Sequence, residues 1–332
     1  MPTVDFFLEV RCEEIPAHML APVVGELGTR LFEELMACRL TPAEVVTTFT
    51  PRRLVVALDG LAEREPDRDE ELTGPPVSVA YDADGNPTAA LKGFAGKCGV
   101  EPGDLSTVRT PKGEYLAARR RIEGRSTATV LAELLPDLLR RISWPKTMRW
   151  GAGEGPWVRP VHSVIALLGD EVVPFELFGV ASGRTTIGHP WHSPEPIEVH
   201  GRDDHAARLG EIGIVVDYDE RRAVLRESLE TAAASGGGRL VADEALLDRL
   251  AAMCEAPGVV LGELEDVELP REVLVTSLRD HQSAFAVEKG GELLPLFLTV
   301  MDRRDDPDGR VRRGNEWVVA ARLADARFFF EE

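Results

Sequence analysis

Tight glycine turns close the strand-like runs of this sequence, and that punctuation limits the possible folds more than any other feature. Residues 107–109 and 115–122 flank Thr110-Pro111-Lys112-Gly113, and residues 163–168 and 172–178 are separated by Gly169-Asp170. Residues 283–288 and 293–300 surround Lys289-Gly290-Gly291-Glu292. Connections this short join antiparallel neighbours, because a parallel crossover needs a dozen residues or more. Helical periodicity alternates with these hairpins, so the expected class is α+β, with antiparallel or mixed sheets and packed helices.

Four segments follow from the patterning. Residues 1–62 read as an N-terminal α/β layer: a strand at 4–10, then Leu20, Val23, Val24, Leu27, Leu31 and Leu35 at helical spacing within 15–38. Strands at 44–49 and 54–58 follow, joined by Thr50-Pro51-Arg52-Arg53. A connector of proline and arginine does not suit a central ladder, so Arg52 and Arg53 are expected on an exposed turn. Residues 63–201 read as a sheet-rich domain with hairpins. It opens with a charged, turn-rich run at 63–71 and a tight turn at Tyr81-Asp82-Ala83-Asp84-Gly85-Asn86-Pro87. A short helix at 88–98 capped by Thr88, a helix at 126–142 with Ser126 as N-cap, and a strand at 197–200 complete it. Residues 202–270 read as helical (203–212, 219–235, 243–255), and 271–332 as a helix, a hairpin and a closing helix at 315–330.

Lys and Arg number 38 against 57 Asp and Glu, a formal charge of −19. That balance argues against a free-standing nucleic-acid binder but leaves room for local basic patches, which act through the field near the contact. Cys12, Cys38, Cys98 and Cys254 form no C-x-x-C pair, so neither a disulfide framework nor a zinc ribbon is expected. The first residues enter a strand pattern with no basic-then-apolar leader, and no run approaches a membrane span. The expectation is a cytoplasmic protein with no membrane contact. There is no G-x-x-x-x-G-K-[ST], no G-x-G-x-x-G after a strand and no G-x-S-x-G, so no standard phosphate loop or nucleophile elbow is expected.

Residues 145–189 gather arginine, histidine and tryptophan beside glycine and proline at the margins of strand-like runs. Arg149-Trp150 and Val158-Arg159-Pro160 have two readings: arginine stems covering apolar surface, or guanidinium planes meeting phosphates and bases. Arg184 falls in the same stretch. His189-Pro190-Trp191-His192, with Glu195 and Glu198, offers two metal-type ligands on an extended segment that lacks two more, so no metal is expected. Glu13-Glu14 before Ile15-Pro16 reads as a helix start, and Asp280-His281-Gln282 as a hydrogen-bonded turn or a catalytic dyad without a nucleophile.

One family shares these pieces in order: Leu8-Glu9-Val10 with Glu13-Glu14-Ile15-Pro16, Pro51-Arg52-Arg53-Leu54, Thr73-Gly74-Pro75 and Gly93-Phe94-Ala95. Lys112-Gly113-Glu114-Tyr115, Pro145-Lys146-Thr147-Met148-Arg149-Trp150-Gly151, Val158-Arg159-Pro160-Val161-His162 and Gly188-His189 continue the series. It ends with Asp217-Tyr218-Asp219-Glu220-Arg221-Arg222, Asp280-His281-Gln282, Gly314-Asn315-Glu316 and Arg322-Leu323-Ala324-Asp325-Ala326-Arg327-Phe328-Phe329. The series closely resembles the β subunit of the bacterial two-subunit glycyl-tRNA synthetase. Each motif is weak alone, and their shared order makes the resemblance specific.

The resemblance implies a fold similar to the tRNA-binding and editing domain of the phenylalanyl-tRNA synthetase β subunit. It implies glycine activation with ATP and Mg in an α subunit, no cofactor in this chain, and the α subunit and tRNA(Gly), not DNA, as partners. The family's distal HD-type and anticodon-binding domains have no counterpart here, so the chain is expected to be an N-terminal portion without catalytic residues of its own. Arg52, Arg53, Arg149, Arg159, Arg184, His189 and Trp191 are the tRNA-binding candidates. The chain departs from the family at Arg11-Cys12, in place of Gly-Thr, and at Pro190-Trp191, in place of Arg-Phe. The second departure removes the most expected phosphate contact and leaves Trp191 to stack. Two other readings stand beside this one: a hydrolase of mischarged tRNA using His189, His192 or His281 as base, and a pure assembly module with no RNA contact.

Overall fold

A computed structural model describes residues 2–82, 85–264 and 269–331. Strand β1 (Thr3–Cys12), helix α1 (Ala17–Ala37), β2 (Glu44–Thr50) and β3 (Arg53–Ala62) come first. An insertion follows: β4 (Arg68–Pro76), α2 (Val77–Ala80), α3 (Ala89–Cys98), β5 (Ser106–Thr110) and β6 (Gly113–Ile122). The chain returns through α4 (Thr127–Arg140), β7 (Met148–Trp150), β8 (Glu154–Trp157) and β9 (Val161–Leu168). It continues with β10 (Glu171–Val172), β11 (Glu176–Leu177), β12 (Val180–Gly183), β13 (Thr185–Ile187) and β14 (Pro196–Glu198). The last part holds α5 (Arg202–Glu211), α6 (Tyr218–Ser235), β15 (Arg239–Leu240), α7 (Glu244–Met253) and β16 (Pro257–Glu263). Then come α8 (Arg271–Gln282), β17 (Phe285–Lys289), β18 (Glu292–Asp302) and α9 (Arg310–Glu331). The α+β class with antiparallel and mixed sheets is as expected.

The main sheet runs β11-β12-β9-β1-β3-β2, with β10 on β9. β1 lies antiparallel between β3 and β9, and only β12 pairs parallel, against β9. The N-terminal layer therefore shares its sheet with residues more than a hundred positions downstream. Alternation along β1 decides the two faces. Phe6, Leu8, Val10 and Cys12 point toward Leu20, Leu27, Leu31 and Leu35 of α1 and Leu131, Leu135 and Leu138 of α4. Each of those α1 leucines is fully buried, worth about 2 kcal/mol against exposure. Phe7 joins Val55, Ala57, Ile165 and Leu167 beneath Leu209 of α5. Glu9 and Arg11 share that second face, and both are buried.

A second lobe is a four-stranded sheet in the order β15-β17-β18-β16. Helices α6 and α7 cover one face through Leu225, Leu229, Leu246 and Leu250. Helices α8 and α9 cover the other through Leu274, Leu278, Val319 and Leu323. Strands β15 and β16 lie inside the 202–270 segment read as helical, between and after its helices. The insertion forms a small sheet, β4-β6-β5, with its own core of Ala80, Leu91 and Leu116.

Four local expectations need correction. The charged run ends as the start of strand β4: Glu71, Glu70 and Asp69 pair in register with Arg119, Arg120 and Arg121, so charge forms a cross-strand ladder. The run at 172–178 splits into β10 and β11 because Pro174 has no N–H for a ladder. Thr88 occupies the N-cap position of α3, but its hydroxyl donates to the carbonyls of Val79 and Ala80 instead of capping. Glu13 and Glu14 precede α1 without entering its first turn, which holds no acid. The turn expected at 81–87 contains Ala83 and Asp84, which lie outside the described residues.

Candidate functional site

The charged face of β1 is closed by the second lobe, and the junction holds most of the buried charge. Arg53 is fully buried, and Arg52 is nearly so. Arg53 Nη1 lies 3.4 Å from Glu9 Oε2 and donates to Thr186 at 3.0 Å, while Nη2 donates to the Ile187 carbonyl at 2.6 Å. Its Nε faces Glu255 Oε2 at 3.4 Å. Arg52 binds Glu14 and reaches Asp302 at 2.8 Å. Arg52 Nη1 also lies 3.1 Å from Glu255 Oε1 without hydrogen-bond alignment, so that oxygen is held by charge alone. Thr186 and His205 (2.6 Å) satisfy the rest of Glu9. Asp302 Oδ1 accepts the backbone N–H groups of Glu255 and Ala256, at 2.8 and 2.9 Å.

Electrostatics follow the packing. Burial alone pushes the Glu9 carboxyl up, but Arg53 and His205, with hydrogen bonds from His205 and Thr186, hold it at about 2. Asp302 is driven up by burial too, and bonds from His189, Ala256 and Arg52 hold it well below the usual carboxylate range. Arg11 is a third buried arginine within this field. The expectation that Arg52 and Arg53 sit exposed on a turn is therefore corrected. Their turn is roofed by Glu255 and Asp302, which no local pattern reveals.

The same junction carries His189. Its Nδ1 accepts the Trp191 backbone N–H at 3.3 Å, so Nε2 is the protonated nitrogen and donates to Asp302 Oδ2 at 3.2 Å. Both ring nitrogens are thus committed, leaving neither to take a substrate proton. The His189 and His192 rings stack at 4.6 Å between centroids. Trp191, on the outside of the turn, is 83% exposed. Gly188 is required below it, since a Cβ there would lie 2.2 Å from the Ser193 carbonyl. Asp280 and His281 lie in the exposed last turn of α8, where Asp280 is paired with Arg279 at 2.7 Å.

The remaining arginines stand outside this junction. Trp150 packs on Phe178 and seats the β7–β8 hairpin, from which Arg149 Nη1 donates to the Gly153 and Gly155 carbonyls at 2.9 and 2.8 Å. Arg159 Nε donates to the Glu14 carbonyl at 2.9 Å, and its Nη1 lies 3.9 Å from the Met148 sulfur, beside Arg149. Arg184 donates to the Asp170 carbonyl at 2.7 Å and meets His200 at 3.1 Å. Arg159 thus reaches the β7–β8 hairpin at Met148, the residue before Arg149, while Arg184 stands apart with His200. Arg159, Glu13 and Glu14 rim an open, largely apolar cleft of about 910 Å³ between the lobes, with Phe49, Tyr218 and Met253 on its walls. Glu13 reaches His162 at 2.6 Å beside it, a pair that no sequence spacing signals. Among the described residues no cluster of three or more His, Cys, Asp or Glu side chains is arranged to hold a metal. No described helix is long and apolar enough to cross a membrane.

The family model described as "Glycyl-tRNA synthetase beta subunit" matches residues 6–332. The chain belongs to the glycyl-tRNA synthetase beta subunit family. It is 39% identical over 331 residues to a glycine--tRNA ligase beta subunit of Syntrophus aciditrophicus, covering 99% of this chain and 48% of that protein. Its identity to the corresponding protein of Geobacter sp. (strain M21) is 40%, with the same coverage. Against that of Nitratidesulfovibrio vulgaris it is 40%, covering 98% of this chain and 47% of the relative. The chain spans about half the length of these curated relatives.

Proposed function

We propose that this chain is the portion of a glycine–tRNA ligase beta subunit that presents tRNA(Gly) and docks the α subunit, with the ATP-dependent chemistry carried elsewhere in the enzyme. The observation that carries this reading is the family match across nearly the whole chain. The site geometry supports it. Arg52, Arg53 and His189 are committed to joining the two lobes, so they act as positioning residues. Arg149, Arg159, Arg184 and Trp191 lie outward and are the tRNA contacts of this reading. A two-lobed scaffold with Arg159 at the rim of a cleft and Arg149 exposed on the neighbouring hairpin suits presentation of a large polyanion.

Two measurements test it. Glycine-dependent ATP–pyrophosphate exchange should be absent with this chain alone and present when the α subunit and the remainder of the beta subunit are added. Exchange by the chain alone overturns the division of labour. Binding of tRNA(Gly) should weaken steeply with salt as counterions are released. With a net charge of −19 the affinity is expected to be modest, so the titration begins at low salt. If tRNA binding is undetectable there while the α subunit still binds, the chain is an assembly module.

A further inference from the structure

The turn at residues 188–193 combines features that the lobe junction does not require. Among the described residues Trp191 is the most solvent-exposed of the large hydrophobic side chains, at 83%. The backbone of this turn is tied from below. Its ties are the Trp191 N–H to His189, the Ser193 N–H to the His189 carbonyl at 2.9 Å, the His189–His192 stack, and the His189 bond to Asp302. Pro190 and Pro194 remove further backbone freedom. The backbone that carries the ring is therefore held before any partner arrives, which lowers the entropic cost of contact.

The surroundings decide what kind of partner fits. A protein partner would need a contiguous apolar patch around the ring. Along the turn the residues that follow the ring are His192, Ser193, Pro194 and Glu195, which are polar or small. Burial first, then His189 and Arg303, depress the His192 imidazole, and Asp305 lies 3.8 Å from Arg303. An exposed aromatic face followed by polar residues matches the face of a nucleobase, which stacks without needing apolar flanks.

We propose that the Trp191 turn is a stacking platform for an unpaired nucleotide of the bound RNA, an inference that rests on the tRNA-binding reading above. The unpaired base belongs either to the 3′ end of the tRNA or to one of its loops, and the chemistry is the same for both. Because the ring carries no charge, its contribution is largely insensitive to salt. That separates it from Arg149 and Arg159, each of which contributes to the salt slope.

The test titrates the 332-residue chain with a tRNA(Gly) transcript over a salt series, using wild type, Trp191→Ala, Trp191→Phe and Arg149→Ala. Trp191→Ala should weaken binding roughly tenfold with an unchanged slope of log affinity against log salt, and Trp191→Phe should recover most of that loss. Arg149→Ala should reduce the slope by about one. A transcript lacking its 3′-terminal unpaired nucleotides assigns the source. If the Trp191→Ala penalty disappears with it, the base comes from the 3′ end; if the penalty persists, it comes from a loop. Wild-type affinity in Trp191→Ala overturns the inference while leaving the tRNA-binding reading intact. A Trp191→Ala defect confined to α-subunit binding overturns it in favour of a protein contact. No tRNA binding by the wild-type chain removes both. Thermal melting of each variant, expected to match wild type, excludes misfolding as the cause.

Discussion

Replacing Arg53 by methionine isolates what the buried charges do for the fold. Methionine keeps most of the stem volume, so cavity formation is a minor part of the effect. What disappears is the cation between Glu9 and Glu255, both fully buried, together with donors to Thr186 and the Ile187 carbonyl. Breaking one side of a buried pair typically costs about 3–5 kcal/mol. His205 remains on Glu9 and Arg52 remains near Glu255, so the lower end, about 3 kcal/mol, is expected. The descent of Glu9 from 4.5 to about 2 gives a similar figure. At 1.36 kcal/mol per unit it amounts to about 3 kcal/mol, the net of its partners and the opposing effect of burial.

The pH dependence separates this mechanism from loss of packing. In the wild type the depressed Glu9 carboxyl contributes stability that is complete above 4.5 and is lost as pH falls toward about 2. Without Arg53, burial raises the same carboxyl, so the variant regains stability as the pH falls and Glu9 takes up a proton. The stability gap between the two proteins, measured by urea unfolding, should therefore be widest near pH 7 and shrink by pH 4. A gap under about 1 kcal/mol at pH 7, or one that does not change with pH, would refute the electrostatic account.

Two further outcomes are expected. Gly188→Ala should lower stability by about 1–3 kcal/mol, seen as a reduced melting temperature, because its Cβ would lie 2.2 Å from the Ser193 carbonyl and 2.7 Å from Ile212; an unchanged melt contradicts the close approach. Native-state thiol labelling at neutral pH should modify Cys38 first. Cys98 is buried, and burial pushes the Cys12 and Cys254 thiols up to about 12, so rapid labelling of either of those two would contradict their enclosure.

Periodicity and turn chemistry made the helices and hairpins legible. Leucines at helical spacing located α1, Ser126 marked the start of α4 with its side chain on Thr129 N–H, and Gly290-Gly291 located the β17–β18 turn. What escaped depends on distant partners. Strand β16 carries Gly258 and Gly262, which locally suggest a loop. Yet a Cβ at Gly258 would meet the Arg303 carbonyl at 2.0 Å, and one at Gly262 the Phe297 ring at 2.4 Å. Arg52 and Arg53 looked solvated because Pro51 and two charges usually mark a surface. Their carboxylates come from positions 255 and 302, which no window along the chain contains. Arg149, Arg159 and Arg184 were foreseen as residues at strand margins, whereas their use of backbone carbonyls was not.

The junction also sets a timetable for synthesis. Arg52 is hydrogen-bonded to a residue 250 positions later. At cellular elongation rates those positions take roughly 10–50 s to appear. Through that interval the sheet can close as far as β9 and β12, but its charged face has neither Glu255 nor Asp302 to cover it. Arg11, Arg52 and Arg53 therefore stay wet on a nascent chain whose other face is already dry. A ribosome that stalls before β18 releases a product with a sealed hydrophobic side and an open cationic one. The last strand of the second lobe thus completes the charged face of the first, through Asp302.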